Sequence, residues 1–180
     1  MTEAITSRRP ILLALTVAVA TTALVVAIVR LTDLAAGDGA GIARDRPAPD
    51  IAGITLDGAE FRLADLRGRP VIVNFWGPNC PPCRDEFPLF KAKLAEHAAD
   101  RLAIVGVLMW DPPEPARDFV AELGAGWPTV IDPGEKILSA YRVTARPQTY
   151  FIDADGVLRA IQIGEVSEAV FERQYATIKP

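Results

Sequence analysis

A run of apolar residues leads almost directly into two closely spaced cysteines, and this junction restricts the fold more than any other feature of the sequence. The segment "PVIVNFW", residues 70–76, is continuous, apolar and rich in β-branched residues, which predicts a strand buried on both faces. Cys80 and Cys83 follow where a helix is expected to begin, and this helix should continue to about Ala98. Pro81 would occupy the first helical position, where the N–H that proline lacks has no partner anyway. The sequence therefore predicts a strand–turn–helix unit with two thiols at a helix N-terminus.

The C-x-x-C spacing suits reversible thiol–disulfide chemistry. The unpaired N–H groups and partial positive charge of a helix N-terminus favour a thiolate over a thiol at Cys80. A thiolate attacks disulfides, and Cys83, one turn further on, can then resolve the mixed disulfide. A structural disulfide stays open as an alternative, although so short a loop removes little chain entropy. A zinc site would need about four ligands, whereas the chain has two cysteines and a single histidine, His97, so we expect no metal.

The N-terminal part of the chain contains an apolar segment that is separate from this unit. Residues 11–29 carry no charge, and as a helix they would extend for about 28 Å, close to the thickness of a bilayer core. Arg8 and Arg9 precede the run and favour a cytoplasmic N-terminus with export of the following residues. A cleaved signal peptide is the alternative, since "AVA" at 18–20 resembles a cleavage site, but the apolar run continues past it.

We therefore predict four regions: an N-terminal tail (1–10), a transmembrane anchor (11–30), a linker (31–50) and a globular domain (51–180). The linker is assigned from its content of Gly, Ala, Asp and Pro, which offers no face for packing. The expected location is the cell membrane, with a single span and the globular domain on the extracytoplasmic side. The net charge of −4 shows no basic footprint, so nucleic acid is not an expected partner.

The globular region alternates strands and helices first and ends in a hairpin and a helix. Asp57-Gly58 lies between two alternating runs and predicts an N-terminal hairpin. After the cysteine-bearing helix, a buried strand at 102–109 and a helix closed by Gly124 are expected, followed by a short strand and a short helix. A hairpin turning at Asp155-Gly156 and an amphipathic helix complete the pattern. A βαβ unit followed by ββα implies an α/β fold with a mixed central sheet and helices on both faces.

With these motifs the chain resembles thioredoxin-fold proteins, and more closely the membrane-anchored TlpA/ResA/CcmG (DsbE) group of bacterial thiol–disulfide oxidoreductases. The resemblance covers roughly residues 46–180 and rests on "DLRGRPVIVNFWGPNCPPCRDEFP", on "RPQTYFIDADG" and on a βα insert at 111–131. It implies a thioredoxin-like fold and an enzyme whose redox-active Cys80–Cys83 disulfide needs no further cofactor. Its substrates would be protein disulfides, apocytochrome c among them, and a membrane thiol-electron donor of the CcdA/DsbD type would regenerate the dithiol.

The resemblance also assigns roles to individual residues. Cys80 would be the exposed nucleophile, Cys83 the buried resolving thiol, and Glu86, three residues later, the acid that transfers protons. Pro147 would be the cis-proline beside the disulfide, and the backbone of Arg146 before it would meet the substrate. Four further residues are expected to form the substrate-binding surroundings of the cysteines, one of them filling the core beneath the site as well: Trp76, Asn79, Pro81 and Pro82.

Three positions depart from the pattern of this group. Asn74 stands where thioredoxins have a buried aspartate, which leaves Glu86 as the candidate proton acceptor. Asn79 stands where many relatives have tryptophan, so one wall of the site is smaller and more polar. Arg146 stands where relatives have an apolar or small residue, so substrate choice does not carry over. Glu86 also has a second interpretation, as a solvated acid that favours the first helical turn through the helix dipole.

We expect the protein to act as a reductant. Pro82 directly precedes Cys83, as in reducing thioredoxins, and no histidine lies between the cysteines to stabilise the thiolate and make the disulfide strongly oxidising. A disulfide oxidase or a peroxiredoxin-like peroxidase is one alternative, which a peroxide-consumption assay and the reduction potential would distinguish. A non-enzymatic redox sensor or binding module is another, and turnover of a disulfide substrate would argue against it.

Overall fold

The structure is a computed structural model of the 180-residue chain, and it describes residues 21–25, 27 and 44–180. The chain divides into two units, residues 1–40 and 41–180, and the fold described belongs to the second.

The predictions for the N-terminal region fall largely outside the described residues. These comprise the tail (1–10), most of the anchor (11–30) and the first part of the linker (31–43). The residues of the anchor that are described are helical, and within the described chain no helix combines the length and apolar character that a membrane span requires.

Residues 44–180 form eight strands, and six of them build one mixed sheet. The strands are β1 (Arg46–Pro47), β2 (Ala52–Ile54), β3 (Glu60–Arg62), β4 (Val71–Trp76), β5 (Ala103–Leu108), β6 (Thr129–Ile131), β7 (Gln148–Ile152) and β8 (Val157–Ile163). The sheet order is β1-β8-β7-β4-β5-β6. Strands β4, β5 and β6 are parallel to one another, whereas β7 is antiparallel to β4 and β8, and β1 is antiparallel to β8. The predicted mixed central sheet is confirmed.

The helices alternate with these strands as the sequence pattern predicts. They are α1 (Pro81–Glu96), α2 (Pro113–Leu123), α3 (Lys136–Ala140) and α4 (Glu168–Tyr175). Helix α2 ends at Gly124, whose φ of +61° is a left-handed conformation that glycine adopts without steric cost. The predicted βα insert consists of α2 and β6, and the predicted N-terminal hairpin is the separate pair of strands β2 and β3.

Strand β4 determines where the cysteine-bearing helix lies. All six of its side chains are buried, and alternate residues point to opposite faces of the sheet. Ile72 and Trp76 pack into one core with α1, α2 and α4, whereas the odd-numbered residues of the strand pack into a second core with α3. Asn74 lies between Ile72 and Trp76 and therefore faces α1 as well. A polar group is thus placed directly beneath the cysteine-bearing helix.

An aromatic cluster supports the junction of β4, α1 and the insert. The rings of Trp76 and Phe119 stack with centroids 4.9 Å apart. Phe87 of α1 lies edge-on to both rings, 4.9 Å from Trp76 and 5.1 Å from Phe119, and contacts Trp127 at 5.0 Å. Such pairs add about 0.5–1.5 kcal/mol each beyond the burial of their area. The cluster therefore holds α1 and α2 over the carboxyl end of β4.

An edge strand lies ahead of residue 51, where the sequence analysis places the start of the globular domain. Strand β1, at Arg46–Pro47, pairs with β8, and the Ala48 N–H donates to the Gly156 carbonyl at 3.0 Å. Backbone hydrogen bonds hold this edge strand, and its side chains are exposed, so it leaves no hydrophobic pattern in the sequence.

Candidate active site

The two cysteines are joined in a disulfide at the junction of β4 and α1. Their Cα atoms are 5.3 Å apart, within the usual range for disulfides. Cys80 is the N-cap of α1 in an extended conformation, and its carbonyl accepts hydrogen bonds from the backbone N–H groups of Cys83 and Arg84 at 3.0 and 3.2 Å. The sulfurs are therefore held at the N-terminal end of the helix, as the sequence predicts.

The proline pair between the cysteines directs the helix N-terminus at one sulfur. Pro81 and Pro82 have no N–H, so the first backbone donor of α1 belongs to Cys83. This N–H lies 3.3 Å from Cys80 Sγ, to which it donates. A thiolate at Cys80 would be stabilised by this hydrogen bond and by the positive end of the helix dipole. The arrangement favours ionisation of Cys80 once the disulfide is reduced.

The two sulfurs differ in exposure, although less than the resemblance implies. Cys83 is completely buried, and Cys80 retains 5% of its surface. The expectation of an exposed Cys80 is therefore not met in the disulfide form, in which both cysteines are buried. Cys80 is nevertheless the cysteine of the pair that keeps some accessible surface.

Glu86, three residues after Cys83 on α1, is a buried carboxyl with only 1% of its surface exposed. Its interpretation as a solvated acid of the first helical turn is therefore wrong. The Asn74 amide donates to Oε1 at 2.7 Å, and the Val166 backbone N–H donates to Oε2 at 3.1 Å. Burial raises the pKa of Glu86 to about 8, because these two hydrogen bonds offset only part of the cost of a buried charge.

Asn74 links this carboxyl to the sheet. Its Nδ2 group donates both to Glu86 and, at 3.0 Å, to the hydroxyl of Thr149 on β7. Asn74 and Thr149 are completely buried and lie opposite each other in the β4–β7 pairing. A buried Asn74 needs a hydrogen-bond partner, and Glu86 is one of the two partners that it has. Because Asn74 is fixed by the pairing of β4 with β7, this pairing also fixes where the Glu86 carboxyl is held in the core.

The residues expected on the substrate side of the site lie in the loop before α1, in the first turn of α1 and in the loop before β7. The Arg146–Pro147 peptide bond is cis, as the resemblance implies. Pro147 is buried, whereas Asn79, Pro81 and Pro82 are exposed. The structure thus brings these residues together at one end of the sheet and leaves three of them accessible to a substrate.

Trp76 requires a correction. It has no exposed surface and is enclosed by the aromatic cluster, so it cannot contact a substrate as the sequence-based assignment proposed. The reason is strand parity: Trp76 ends β4 on the face covered by α1 and α2. Its role is to support the site from below.

Two residues of the site were missed from the sequence. Thr149 lies in a strand predicted only as part of a hairpin, and Asp111 lies in the loop after β5, where its charge has no local partner in the sequence. Asp111 accepts a hydrogen bond from the Asn79 amide at 2.7 Å and forms an ion pair with Arg146. Both contacts join segments more than 30 residues apart, so no short-range pattern could indicate them.

Away from this site, one group of potential metal ligands occurs among the described residues. Side-chain atoms of Glu96, His97 and Glu172 lie within 4.8 Å of one another. The buried ammonium group of Lys93 already forms ion pairs with both of these carboxylates. A cation therefore balances the acids, and the arrangement ties α1 to α4 rather than suggesting a metal site.

The sequence matches the model of the AhpC/TSA family over residues 45–161. The thiol-disulfide oxidoreductase ResA of Geobacillus kaustophilus is 35% identical over 133 residues, which cover 74% of this chain and 76% of that protein. The chain belongs to the AhpC/TSA family, and its close homologues are ResA thiol–disulfide oxidoreductases.

Solved structures agree with this placement. A thiol:disulfide interchange protein of the thioredoxin family from Chlorobium tepidum superimposes with a TM-score of 0.67 at 30% identity, covering 74% of this chain and 96% of that chain. A secreted Mycobacterium tuberculosis disulfide oxidoreductase homologous to Escherichia coli DsbE gives a TM-score of 0.63 at 26% identity, covering 71% of this chain and 96% of that chain. The fold is thioredoxin-like, and the protein is a thiol–disulfide oxidoreductase of the ResA and DsbE type.

The buried carboxyl makes stability depend on pH in a defined direction. Folding raises the pKa of Glu86 from about 4.5 to about 8, so between these values the folded state binds more protons than the unfolded state. The free energy of unfolding of the oxidised protein should therefore fall as pH rises from about 5 to 8, by an amount on the order of a few kcal/mol. Glu86→Gln should remove this part of the pH dependence in urea unfolding curves.

A control for this measurement is Asp85→Asn, which removes an exposed carboxylate from the neighbouring position. Its stability should follow that of the wild-type protein across the same pH range. Parallel curves for the wild-type protein and Glu86→Gln would show that Glu86 does not titrate as a buried group.

Proposed function

We propose that this thiol–disulfide oxidoreductase is a membrane-tethered reductant of protein disulfides on the extracytoplasmic side, with apocytochrome c as its substrate. The observation that carries the proposal is the asymmetry of the disulfide. Cys80 keeps 5% of its surface accessible and accepts the first N–H of α1, whereas Cys83 is completely buried on the same helix as the buried carboxyl of Glu86. This asymmetry supports attack by Cys80 and resolution, with proton exchange, by Cys83.

The reaction transfers two electrons from the dithiol to the substrate in two exchange steps. The Cys80 thiolate attacks one sulfur of the substrate disulfide, forms a mixed disulfide and releases the first substrate thiolate. The Cys83 thiolate then attacks Cys80 Sγ, which forms the Cys80–Cys83 disulfide and releases the second substrate thiolate. The two substrate sulfurs are reduced and the two protein sulfurs are oxidised. The two substrate thiolates take up the two protons that the cysteine thiols lose.

Glu86 supports the proposed proton transfer at Cys83. The two residues are three apart on α1, so their side chains are neighbours on one face of the helix. With a pKa of about 8 in the disulfide form, the carboxyl is mainly protonated at neutral pH. It can give this proton to the Cys83 thiolate when a donor reduces the disulfide, and it can take a proton back when Cys83 attacks Cys80.

The reducing direction is supported by the residues between the cysteines. Pro82 precedes Cys83 as in reducing thioredoxins, and neither intervening residue is a histidine that would stabilise the thiolate. The cycle requires a donor of two electrons, for which a membrane dithiol protein of the CcdA/DsbD type is proposed. Apocytochrome c suits such a reductant because its C-x-x-C-H motif holds two cysteines that must be reduced before haem ligation.

The membrane tether rests on residues 11–29, a run without charged residues that follows Arg8 and Arg9. Its length suits a bilayer span, and a long following domain translocates largely regardless of its own charge. A tether of this kind would keep the redox domain close to a membrane-embedded electron donor.

The division of labour between the cysteines can be tested by trapping. Cys83→Ser should accumulate a mixed disulfide between Cys80 and a peptide with an oxidised C-x-x-C-H motif, because the resolving thiol is absent. In the reduced wild-type protein, Cys80 should be alkylated first at neutral pH, and mass spectrometry would identify the labelled residue. The reduction potential of the wild-type Cys80–Cys83 couple should be about −270 mV, as for a thioredoxin-like reductant, rather than about −120 mV, as for a strong oxidant.

The matched control is Cys80→Ser, which should trap no peptide. Trapping by Cys80→Ser, or earlier labelling of Cys83, would reverse the assignment. A potential near the oxidising value would exclude the reductant and favour the oxidase, and peroxide consumption without peptide reduction would favour the peroxidase.

The role of Glu86 predicts a kinetic effect that is separate from stability. Glu86→Gln keeps the size and polarity of the side chain but cannot accept a proton. We expect a lower pKa for the Cys80 thiol, since a nearby carboxylate would otherwise oppose the thiolate, and slower single-turnover reduction of the peptide, by roughly 10- to 100-fold. Thiolate absorbance and stopped-flow reduction between about pH 5 and 9 measure both quantities. Equal thiol pKa values and equal rates would limit Glu86 to a structural role.

The orientation can be tested with reporter fusions. A reporter that is active only outside the cytoplasm, fused after Pro180, should be active, and a cytoplasmic reporter at the same position should be silent. This result is expected because Arg8 and Arg9 favour a cytoplasmic N-terminus. The opposite pattern would place the redox domain in the cytoplasm and remove the cytochrome reduction proposal.

A further inference from the structure

The side chain of Arg146 spans the opening of the active site. It leaves the backbone next to the cis-proline and donates hydrogen bonds to the carbonyl of Met109 at 3.0 Å and to the carbonyl of Asn79 at 3.3 Å. Asn79 is directly followed by Cys80, so the guanidinium is hydrogen-bonded to the residue that precedes the reactive sulfur. The side chain is only 20% exposed. A largely desolvated cation is therefore bound to the backbone carbonyl that directly precedes Cys80.

Asp111 holds this cation in place. One of its carboxylate oxygens accepts from Arg146 Nη1, and the other accepts from the Asn79 amide at 2.7 Å. The Asp111 side chain is 7% exposed. Gly77 provides the necessary room, because a Cβ atom there would overlap both Asp111 Oδ2 and Arg146 Nη1. One carboxylate thus connects three loops: the loop that carries Asn79, its own loop after β5, and the loop that carries the cis-proline.

The pairing also balances charge near Cys80. Other charged groups near the cysteines are Arg84, Asp85 and Glu86 on α1, and Glu165, whose charge adds to the effect of burial in raising the pKa of Glu86. Arg84 is nearly half exposed and paired with Glu122 at 2.6 Å. Asp85 is exposed, and Glu86 lies on the buried side and is hydrogen-bonded to Asn74. Among the described residues around the cysteines, the Asp111–Arg146 ion pair is therefore largely buried, whereas the Arg84–Glu122 ion pair is exposed.

We propose that Asp111 is a positioning residue that fixes and neutralises Arg146 beside Cys80, and that this neutralisation keeps the Cys80–Cys83 couple reducing. The proposal deepens the proposed function, on which it rests for the reducing direction. Without the carboxylate, the guanidinium would face the Cys80 thiolate as an unbalanced cation. A nearby cation stabilises a thiolate, and a stabilised thiolate stabilises the dithiol relative to the disulfide. A couple with a stabilised dithiol is a stronger oxidant.

The same electrostatic argument gives opposite signs for the two partners. Asp111→Asn keeps one side-chain oxygen, which can accept from either Arg146 or Asn79, and removes the negative charge. Arg146→Gln removes the positive charge and leaves Asp111 beside the sulfur, which disfavours the thiolate. The double variant removes both charges and restores neutrality. A purely structural role of the network would instead shift all three variants in the same direction, or none of them.

The test measures the equilibrium of each variant with glutathione, in which one dithiol and one glutathione disulfide give one protein disulfide and two glutathione thiols. The equilibrium constant for Asp111→Asn should be about tenfold lower than for the wild-type protein, which equals about 30 mV for a two-electron couple. The constant for Arg146→Gln should be higher, and the double variant should return to within about threefold of the wild-type protein. Titration of Cys80 thiolate absorbance should show the pKa falling in Asp111→Asn and rising in Arg146→Gln.

Asp155→Asn is the control, because it removes an exposed carboxylate at the distant turn between β7 and β8 and should leave the constant unchanged. Urea unfolding identifies any variant that fails to fold. If Asp111→Asn fails to fold, the rise in the equilibrium constant that is expected for Arg146→Gln still tests the proposal. The proposal would be overturned if the equilibrium constants of the two single variants shifted in the same direction or did not shift. It would also be overturned if the constant of the double variant did not return to near the wild-type value. An oxidising potential of the wild-type protein would instead overturn the proposed reductant function, while the comparison of signs would still test Asp111.

Discussion

Burial of β4 on both faces is the constraint on which the rest of the structure depends. The odd-numbered residues of the strand pack against the core shared with α3, and the even-numbered residues pack against the core beneath α1. Because α1 must cover the second face, its N-terminus comes to lie at the carboxyl end of β4, where the chain leaves the strand. The disulfide is therefore located by the packing of an apolar strand, and the aromatic cluster around Trp76 prevents the helix from shifting along it.

The chemistry of the site follows from three different electrostatic environments around two sulfurs. Cys80 receives the first backbone N–H of α1, since the two prolines before Cys83 provide none. On the buried side, Glu86 is shielded from solvent, and burial keeps its carboxyl protonated to near neutral pH. At the mouth of the site, Arg146 is balanced by Asp111. A sulfur at the helix N-terminus, a fully buried sulfur near a buried carboxyl and a charge-balanced opening thus lie within two turns of one helix and its adjacent loops.

Much of this could be predicted from residues that are close in sequence. The element order, the mixed sheet and the C-x-x-C motif at a helix N-terminus all follow from periodicity and turn residues, and the structure confirms them. The edge strand at Arg46–Pro47 escaped prediction, because its contribution is made by backbone hydrogen bonds. Trp76 was assigned to the substrate surface, although both faces of β4 are buried and Trp76 lies on the face that α1 and α2 cover. Asp111 and Thr149 were missed because their partners are distant in the chain.

The sequence by itself determined the redox motif, its place at the start of a helix and the class of fold, because each depends on local spacing and on the alternation of apolar residues. The tertiary structure decided the state of the charged and polar groups. Whether Glu86 is a solvated acid or a buried one depends on what covers it, and the Val166 N–H and the Asn74 amide reach it from separate parts of the chain. Desolvation and hydrogen bonding depend on all the groups that surround a residue in the folded protein, and a pattern along the sequence does not show which groups these are.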